Sequence, residues 1–323
     1  MKKALIIGIT GQDGSLLAEF LLNKGYRVAG TSRDVQAARL DNLKRLGILD
    51  QTDLYSMAPG DFRSVLQILL KAEPDEIYNL AGQSSVELSF AQPVETFESI
   101  SVANVNLLES IRFSSKRIRL YNACSSECFG NTGGEPADET TPFRPRSPYA
   151  VAKAAAFWQA ANYREAYGIF VSSGILFNHE SALRPERFVT QKIIAAACRI
   201  ADGSRETLTL GNMDVRRDWG WAPEYVDAMW RMLQQDQPDD YVIATGETHS
   251  LTDFIAAAFE AVGLNWKDHV RQDSALLRPS DIESIQADPS KAAAKLGWRA
   301  GHTMKDVVRM MVQARRSPSM PGN

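Results

Sequence analysis

The run "ALIIGITGQDGSLLAEFLL", from Ala4 to Leu22, constrains the fold more than any other stretch of the chain. Its first half is uncharged and rich in β-branched residues, the composition of a strand buried on both faces. Gly8, Gly11 and Gly14 follow as G-x-x-G-x-x-G, and the helix after them places Leu16, Leu17, Phe20 and Leu21 on one face. Glycine at these points lets the backbone turn tightly and approach a pyrophosphate at the helix N-terminus. The same glycines also suit a bare strand-to-helix turn, so the elements that follow must decide.

Those elements alternate. Asn23-Lys24-Gly25 stops the first helix and "YRVAGTS" begins a second strand; "DLYSM" is a strand, "FRSVLQILLKA" a helix and "EIYNLAG" a strand. The long amphipathic run "PVETFESISVANVNLLESIRFS" then leads into the strand "IRLYNACS". Because parallel strands need crossover helices, this β-α-β-α-β order predicts an α/β, Rossmann-like, doubly wound parallel sheet over residues 1–176. After Leu176 the pattern loosens into polar, proline-containing connectors: "FNHESALRPERF", "LGNMDVRRDWGWAPEY" and "LLRPSDIESIQADPSK". They predict a smaller C-terminal α/β lobe at 177–315, with some segments returning to the first domain and residues 316–323 as a flexible tail. Such a lobe covers the C-terminal edge of the sheet, where ligands of this architecture sit.

Bulk properties exclude several partners. A net charge of −3 over 323 residues gives no basic footprint for nucleic acid and no polybasic run for a membrane surface. "MKKALIIGIT" starts like a signal peptide, but glycines and Gln12-Asp13 interrupt the apolar run, and no stretch reaches the length of a membrane span. The expected location is cytoplasmic. Cys124, Cys128 and Cys198 are too few and too irregular for a disulfide framework, and no second ligand pair accompanies them, so no metal is expected.

The second strand ends "GTSRD". An acid at that point meets a ribose 2′-hydroxyl, whereas an arginine pairs with a 2′-phosphate. Ser32 and Arg33 therefore favour NADP over NAD, while Asp34 either caps a helix or meets a hydroxyl. Asp61 opens the next helix, as an N-terminal charge or as a contact to adenine.

"SPYAVAK" carries Tyr149 and Lys153 four residues apart, on one helical face. A tyrosine titrates near pH 10, and an adjacent ammonium and a nicotinamide cation would favour its phenolate. Upstream, "NACSSECFG" places Ser125, Ser126 and Glu127 at a strand end. Strand alternation would send Ser125 and Glu127 to the same side, with Ser126 pointing away or beginning the loop. A hydroxyl and a carboxylate beside a Tyr/Lys pair supply a group to steady an oxygen and a group to move a second proton. In the blander reading Glu127 only bonds a loop backbone.

With these residues together, the chain resembles the extended short-chain dehydrogenase/reductase family and, more narrowly, the GDP-mannose 4,6-dehydratases. The resemblance rests on "GITGQDG", "YNLAGQSSVELSFAQPVETFE", "SSECFG", "RSPYAVAK", "SSGILFNHES", "FVTQKI", "LGNMDVRRDWGWAPEYVDAMWRMLQ" and "LLRPSDIE". It implies NADP as cofactor and GDP-mannose as substrate. Tyr149 would take the C4 hydroxyl proton, Glu127 would remove the C5 proton and protonate the departing C6 hydroxyl, and hydride would return to C6. It further implies cofactor contacts from Gln12, Asp13 and Leu80 beside the glycines. Nucleotide-sugar contacts would come from Ser84, Ser126, Asn178, Lys192, Arg217 and Arg278. A homodimer is implied, with a tetramer as the larger alternative. Four departures stand out: Ser125 where threonine is usual, one arginine at the strand end in "SRDVQAARLDNL" where the family often has a pair, swapped Asp and Glu in "RPSDIES", and the two cysteines around the SSE run. The competing readings are a related nucleotide-sugar reductase or epimerase and a non-catalytic NADP-sensing protein.

Overall fold

A computed structural model describes residues 1–114, 116–276 and 280–317, so Arg278 and the tail from residue 318 lie outside the described residues. Seven strands form one sheet: β1 Lys3–Ile7, β2 Arg27–Ser32, β3 Thr52–Ser56, β4 Glu76–Asn79, β5 Arg119–Ser125, β6 Val171–Leu176 and β7 Tyr241–Ile243. Their spatial order is β7-β6-β5-β4-β1-β2-β3, and every neighbouring pair is parallel. The chain reverses direction between β1 and β4, which opens a crevice at their C-terminal ends.

Both faces of β1 are buried, as its composition predicts. Ala4 and Ile6 pack under α1 (Gln12–Asn23) with Leu17 and Leu21, while Leu5 and Ile7 point into the opposite core. That core is closed by α2 (Phe62–Ala72) and α3 (Ala103–Phe113) through Val65, Leu69, Leu107 and Ile111. The helix α4, Pro148–Tyr167, lies on the same side. The long amphipathic run is not one helix. It is Pro93–Phe97, a π-helical turn at Glu98–Val102, and then α3.

The second hydrophobic core is built by α5 (Val189–Ala201), α7 (Leu251–Glu260) and α8 (Met304–Arg316) around Ile193, Trp219, Phe254, Val307 and Met311. Between α5 and α7 the chain returns to the first layer. There α6, Ala222–Gln234, packs on α1 through Val226, Met229 and Leu233, and β7 joins the sheet edge. A short strand, Asn178–Glu180, continues beyond β6 and pairs in parallel with Trp219–Trp221. It lies just past the C-terminal end of the sheet. Among the described residues no helix is long and apolar enough to cross a membrane.

Candidate active site

The glycine-rich turn is a fitted cradle. Gly8 sits at φ +90°, a left-handed conformation that side chains disfavour, and its amide donates to Thr31 O at 3.2 Å. A Cβ on Gly14 would overlap the Gly8 carbonyl, so α1 can approach the turn only with glycine there. No side chain caps the N-terminus of α1, which leaves the N–H groups of its first turn to an anionic ligand. This arrangement fits the pyrophosphate of a dinucleotide. Gln12 and Asp13 lie in that first turn, and Leu80 extends β4 toward it by donating its amide to Ile7 O at 3.0 Å.

At the end of β2, Arg33 is extended into solvent, with its side chain 82% exposed and 3.2 Å from Glu95. Asp34 closes its own turn by accepting the Gln36 amide at 2.9 Å rather than capping a helix. Asp61 caps α2 by accepting the amides of Arg63 and Ser64 at 3.2 and 3.1 Å. Ser84 is exposed in the loop after β4.

Ser125, Glu127, Tyr149 and Lys153 converge at the C-terminal end of β5. Tyr149 occupies the first turn of α4, which Ser147 caps through the Ala150 amide at 3.1 Å and which Pro148 begins, a residue pre-set for that place. Its phenol lies beside the Ser125 hydroxyl. The ammonium of Lys153 donates to Ala123 O at 2.7 Å and lies 6.0 Å from the Tyr149 ring centroid.

One expectation changes. Ser125 and Glu127 do not share a side through strand alternation, because β5 ends at Ser125 and Ser126–Cys128 is a 3-10 turn. The Ser125 hydroxyl accepts the Glu127 amide at 3.3 Å, so the turn itself, capped by the serine, presents the carboxylate beside it. Burial pushes the Tyr149 phenol well above its ordinary value, Ser125 opposes that shift, and nearby Cys128 and Glu127 add to it. Burial also lowers Lys153, against the pull of Cys124, Cys128 and Asp13.

Arg217 is 92% buried, or 8% exposed, at the back of this group. Its Nε lies 3.8 Å from Glu127 Oε1 and its terminal nitrogen 3.4 Å from Asp281 Oδ1. It also donates to the carbonyls of Ile282 and Arg216 at 2.8 and 2.9 Å, which fixes the guanidinium plane. Ser126 is buried in the 3-10 turn, Asn178 opens the short strand past β6, and Lys192 projects from α5 with its ammonium on Thr209 O at 3.1 Å. Cys124 and Cys128 are buried free thiols, 3.7 Å apart. The reading of the sequence passed over His179, which binds the glycine-rich turn through Asp13 at 3.0 Å. Its only sequence signal was its place beside Asn178 in "FNHES".

Comparison with known proteins agrees with this geometry. The family model described as GDP-mannose 4,6 dehydratase matches residues 5–311. GDP-mannose 4,6 dehydratase 1 of Arabidopsis thaliana is 47% identical, over 96% of this chain and 89% of its own length. The GDP-mannose 4,6-dehydratase of Vibrio cholerae is 43% identical, over 96% of this chain and 93% of its own. Among solved structures, UDP-glucose 4-epimerase of Thermus thermophilus in complex with NAD superposes with a TM-score of 0.86 at 26% identity, covering 98% of this chain and 99% of that one. A match that runs through both cores, and through every segment that builds the candidate site, places the chain in the GDP-mannose 4,6-dehydratase family.

Proposed function

We propose that the protein converts GDP-mannose into GDP-4-keto-6-deoxymannose, a hydro-lyase reaction run on a nicotinamide dinucleotide. The observation that carries this reading is one carboxylate: Glu127 stands beside Ser125 and Tyr149, where oxidation alone would need no further acid or base. Held at the glycine-rich turn and the uncapped first turn of α1, a nicotinamide dinucleotide would supply reversible hydride chemistry, so that no net oxidant would be needed. Ser125 holds the C4 oxygen while Tyr149 accepts its proton. Lys153, anchored on Ala123 O, supplies a fixed positive charge to that transfer. The ketone at C4 acidifies the C5 hydrogen; Glu127 removes it and delivers a proton to the departing C6 oxygen. Arg217 limits where that carboxylate can swing, and as a planar fork it also suits the substrate's diphosphate. Asn178, Lys192, Ser84 and Ser126 complete the proposed sugar-nucleotide contacts, and Arg278 is assigned with them from the family pattern.

The test is direct: purified protein, GDP-mannose and catalytic cofactor, with the product read by NMR. A 4-keto-6-deoxy sugar with no net change in reduced cofactor supports the reading. Reduction of a 4-keto substrate at the expense of NADPH, with no dehydration of GDP-mannose, overturns it.

NADP is the proposed cofactor, on the position of Arg33 and Ser32 at the end of β2. Losing one charge-assisted phosphate contact costs about 1.5–3 kcal/mol, roughly 10- to 150-fold in affinity. Arg33→Ala should weaken NADP by that factor and leave NAD within about twofold; equal effects on both cofactors would reject the assignment.

The proposed assembly is a homodimer. The helix α4 exposes Val151 and, two turns on along the same face, Trp158 at 61%, apolar surface of the kind two copies bury about a twofold axis. Trp158→Lys should shift the protein from dimer to monomer in sedimentation velocity. A monomer before the substitution, or an undisturbed dimer after it, would rule out this face.

A further inference from the structure

Two regions far apart in sequence meet at one imidazole. His179 is 6% exposed, in the short strand between Asn178 and Glu180. Its Nδ1 lies 2.7 Å from the carbonyl oxygen of Phe177, and its Nε2 lies 3.0 Å from Asp13 Oδ2 in the first turn of α1. A carbonyl can only accept a hydrogen bond, and an ionised carboxylate can only accept one. Both ring nitrogens must therefore carry hydrogen for both bonds to exist, which makes the ring an imidazolium. It stacks on Tyr225 of α6, with centroids 4.5 Å apart and planes 21° from parallel.

Around this ring the glycine-rich turn is bolted to the strand. The Gln12 amide donates to His179 O at 3.2 Å and to Asp13 Oδ1 at 2.9 Å, while Ser181 Oγ donates to Gln12 Oε1 at 2.8 Å. The links continue into α5. Gln191 donates to Ser181 O at 2.8 Å and Thr190 to Glu180 Oε2 at 2.8 Å, immediately before Lys192. A hydrogen-bonded path thus runs from the first turn of α1, through the residues that follow Asn178, to Thr190 and Gln191, the chain neighbours of Lys192.

We propose that His179 is a positioning residue whose charged ring clamps the glycine-rich turn, through Asp13, to the strand and helix bearing Asn178 and Lys192, so that cofactor and nucleotide sugar each strengthen the other's binding. This rests on the functional reading above, which assigns one ligand to each end of the path. The charges facing the ring are Asp13 from α1 and Arg184 from the loop after the strand; Tyr225 is held neutral by burial, which pushes its phenol well up. Burial works against the imidazolium, but Asp13 outweighs it and His179 is held above its ordinary value. The pair's sign is therefore fixed: the clamp is fully present below the ordinary histidine value and is lost as pH rises through the raised one.

The test uses NADPH and GDP as probes. NADPH affinity is titrated by fluorescence with and without saturating GDP, in the parent protein, His179→Gln and Asp13→Asn, with thermal melts to check folding. The parent should bind NADPH about tenfold more tightly with GDP present, and each variant less than about twofold. Nitrogen-15 histidine spectra of the parent, followed as pH is raised, should show both His179 nitrogens still protonated above the pH at which a free imidazole loses one, and Asp13→Asn should lower the pH at which one proton leaves. A ring that loses its proton at or below the free-imidazole value, or unchanged coupling in either folded variant, overturns the proposal; the spectra decide even if His179→Gln does not fold. Failure of both probes to bind brings down the functional reading itself, whereas binding of both without coupling brings down only the role of His179.

Discussion

Glu127→Gln should stop the reaction halfway. The amide keeps the shape of the 3-10 turn and the backbone bond to Ser125 Oγ, but it has no basic oxygen for the C5 hydrogen and no proton to give the C6 hydroxyl. Oxidation at C4 depends on Ser125, Tyr149 and Lys153 and survives. Mixed with GDP-mannose in a single turnover, the variant should develop absorbance at 340 nm from reduced cofactor while steady-state dehydration falls by about 10²–10⁴-fold, the usual contribution of a placed acid or base. The parent should show little standing absorbance, because hydride returns to C6. Loss of the 340 nm signal together with dehydration would move Glu127 from elimination to the first step. Undiminished turnover would remove it from the mechanism.

Tyr149→Phe should block the step before. Removing the phenol takes away the proton acceptor at C4, so both the 340 nm transient and dehydration should fall by a comparable 10²–10⁴-fold. The pH dependence carries a second signature. Burial holds the phenol above its ordinary value, and the reactive form is the phenolate, which is favoured as pH rises. Turnover of the parent should therefore increase with pH over the neutral and mildly alkaline range. The residual rate of Tyr149→Phe should lack that rising limb. A rising limb of the same slope in the variant would assign it to another group.

Much of this molecule was readable in the chain because the decisive signals are local. The strand, the glycine turn and the helix at Ala4–Leu22 declare one another by spacing, and the alternation that follows leaves few topologies for a parallel sheet. Tyr149 and Lys153 announce themselves because a helix puts residues four apart on one face. The SSE run was readable for its residues but not for its geometry: alternation assumes the strand continues, whereas a serine that bonds its own backbone two residues on ends it at Ser125. What stayed hidden depends on tertiary contact. Asp13 and His179 lie 166 residues apart, and neither has a neighbour that signals the other. The approach of Arg217 to Glu127 is likewise a contact between segments far apart in the chain, as is the packing of α6 on α1.

The central claim is that one site oxidises C4, eliminates water across C5 and C6, and returns the same hydride to C6 of the same sugar. GDP-mannose carrying deuterium at C4, turned over in ordinary water with a large excess of unlabelled NADPH and NADP in solution, tests it most directly. The account predicts that the deuterium is recovered in the C6 methyl group of the product, with a solvent-derived hydrogen at C5. Deuterium in the free NADPH pool, or a product whose C6 still carries its hydroxyl, would contradict it.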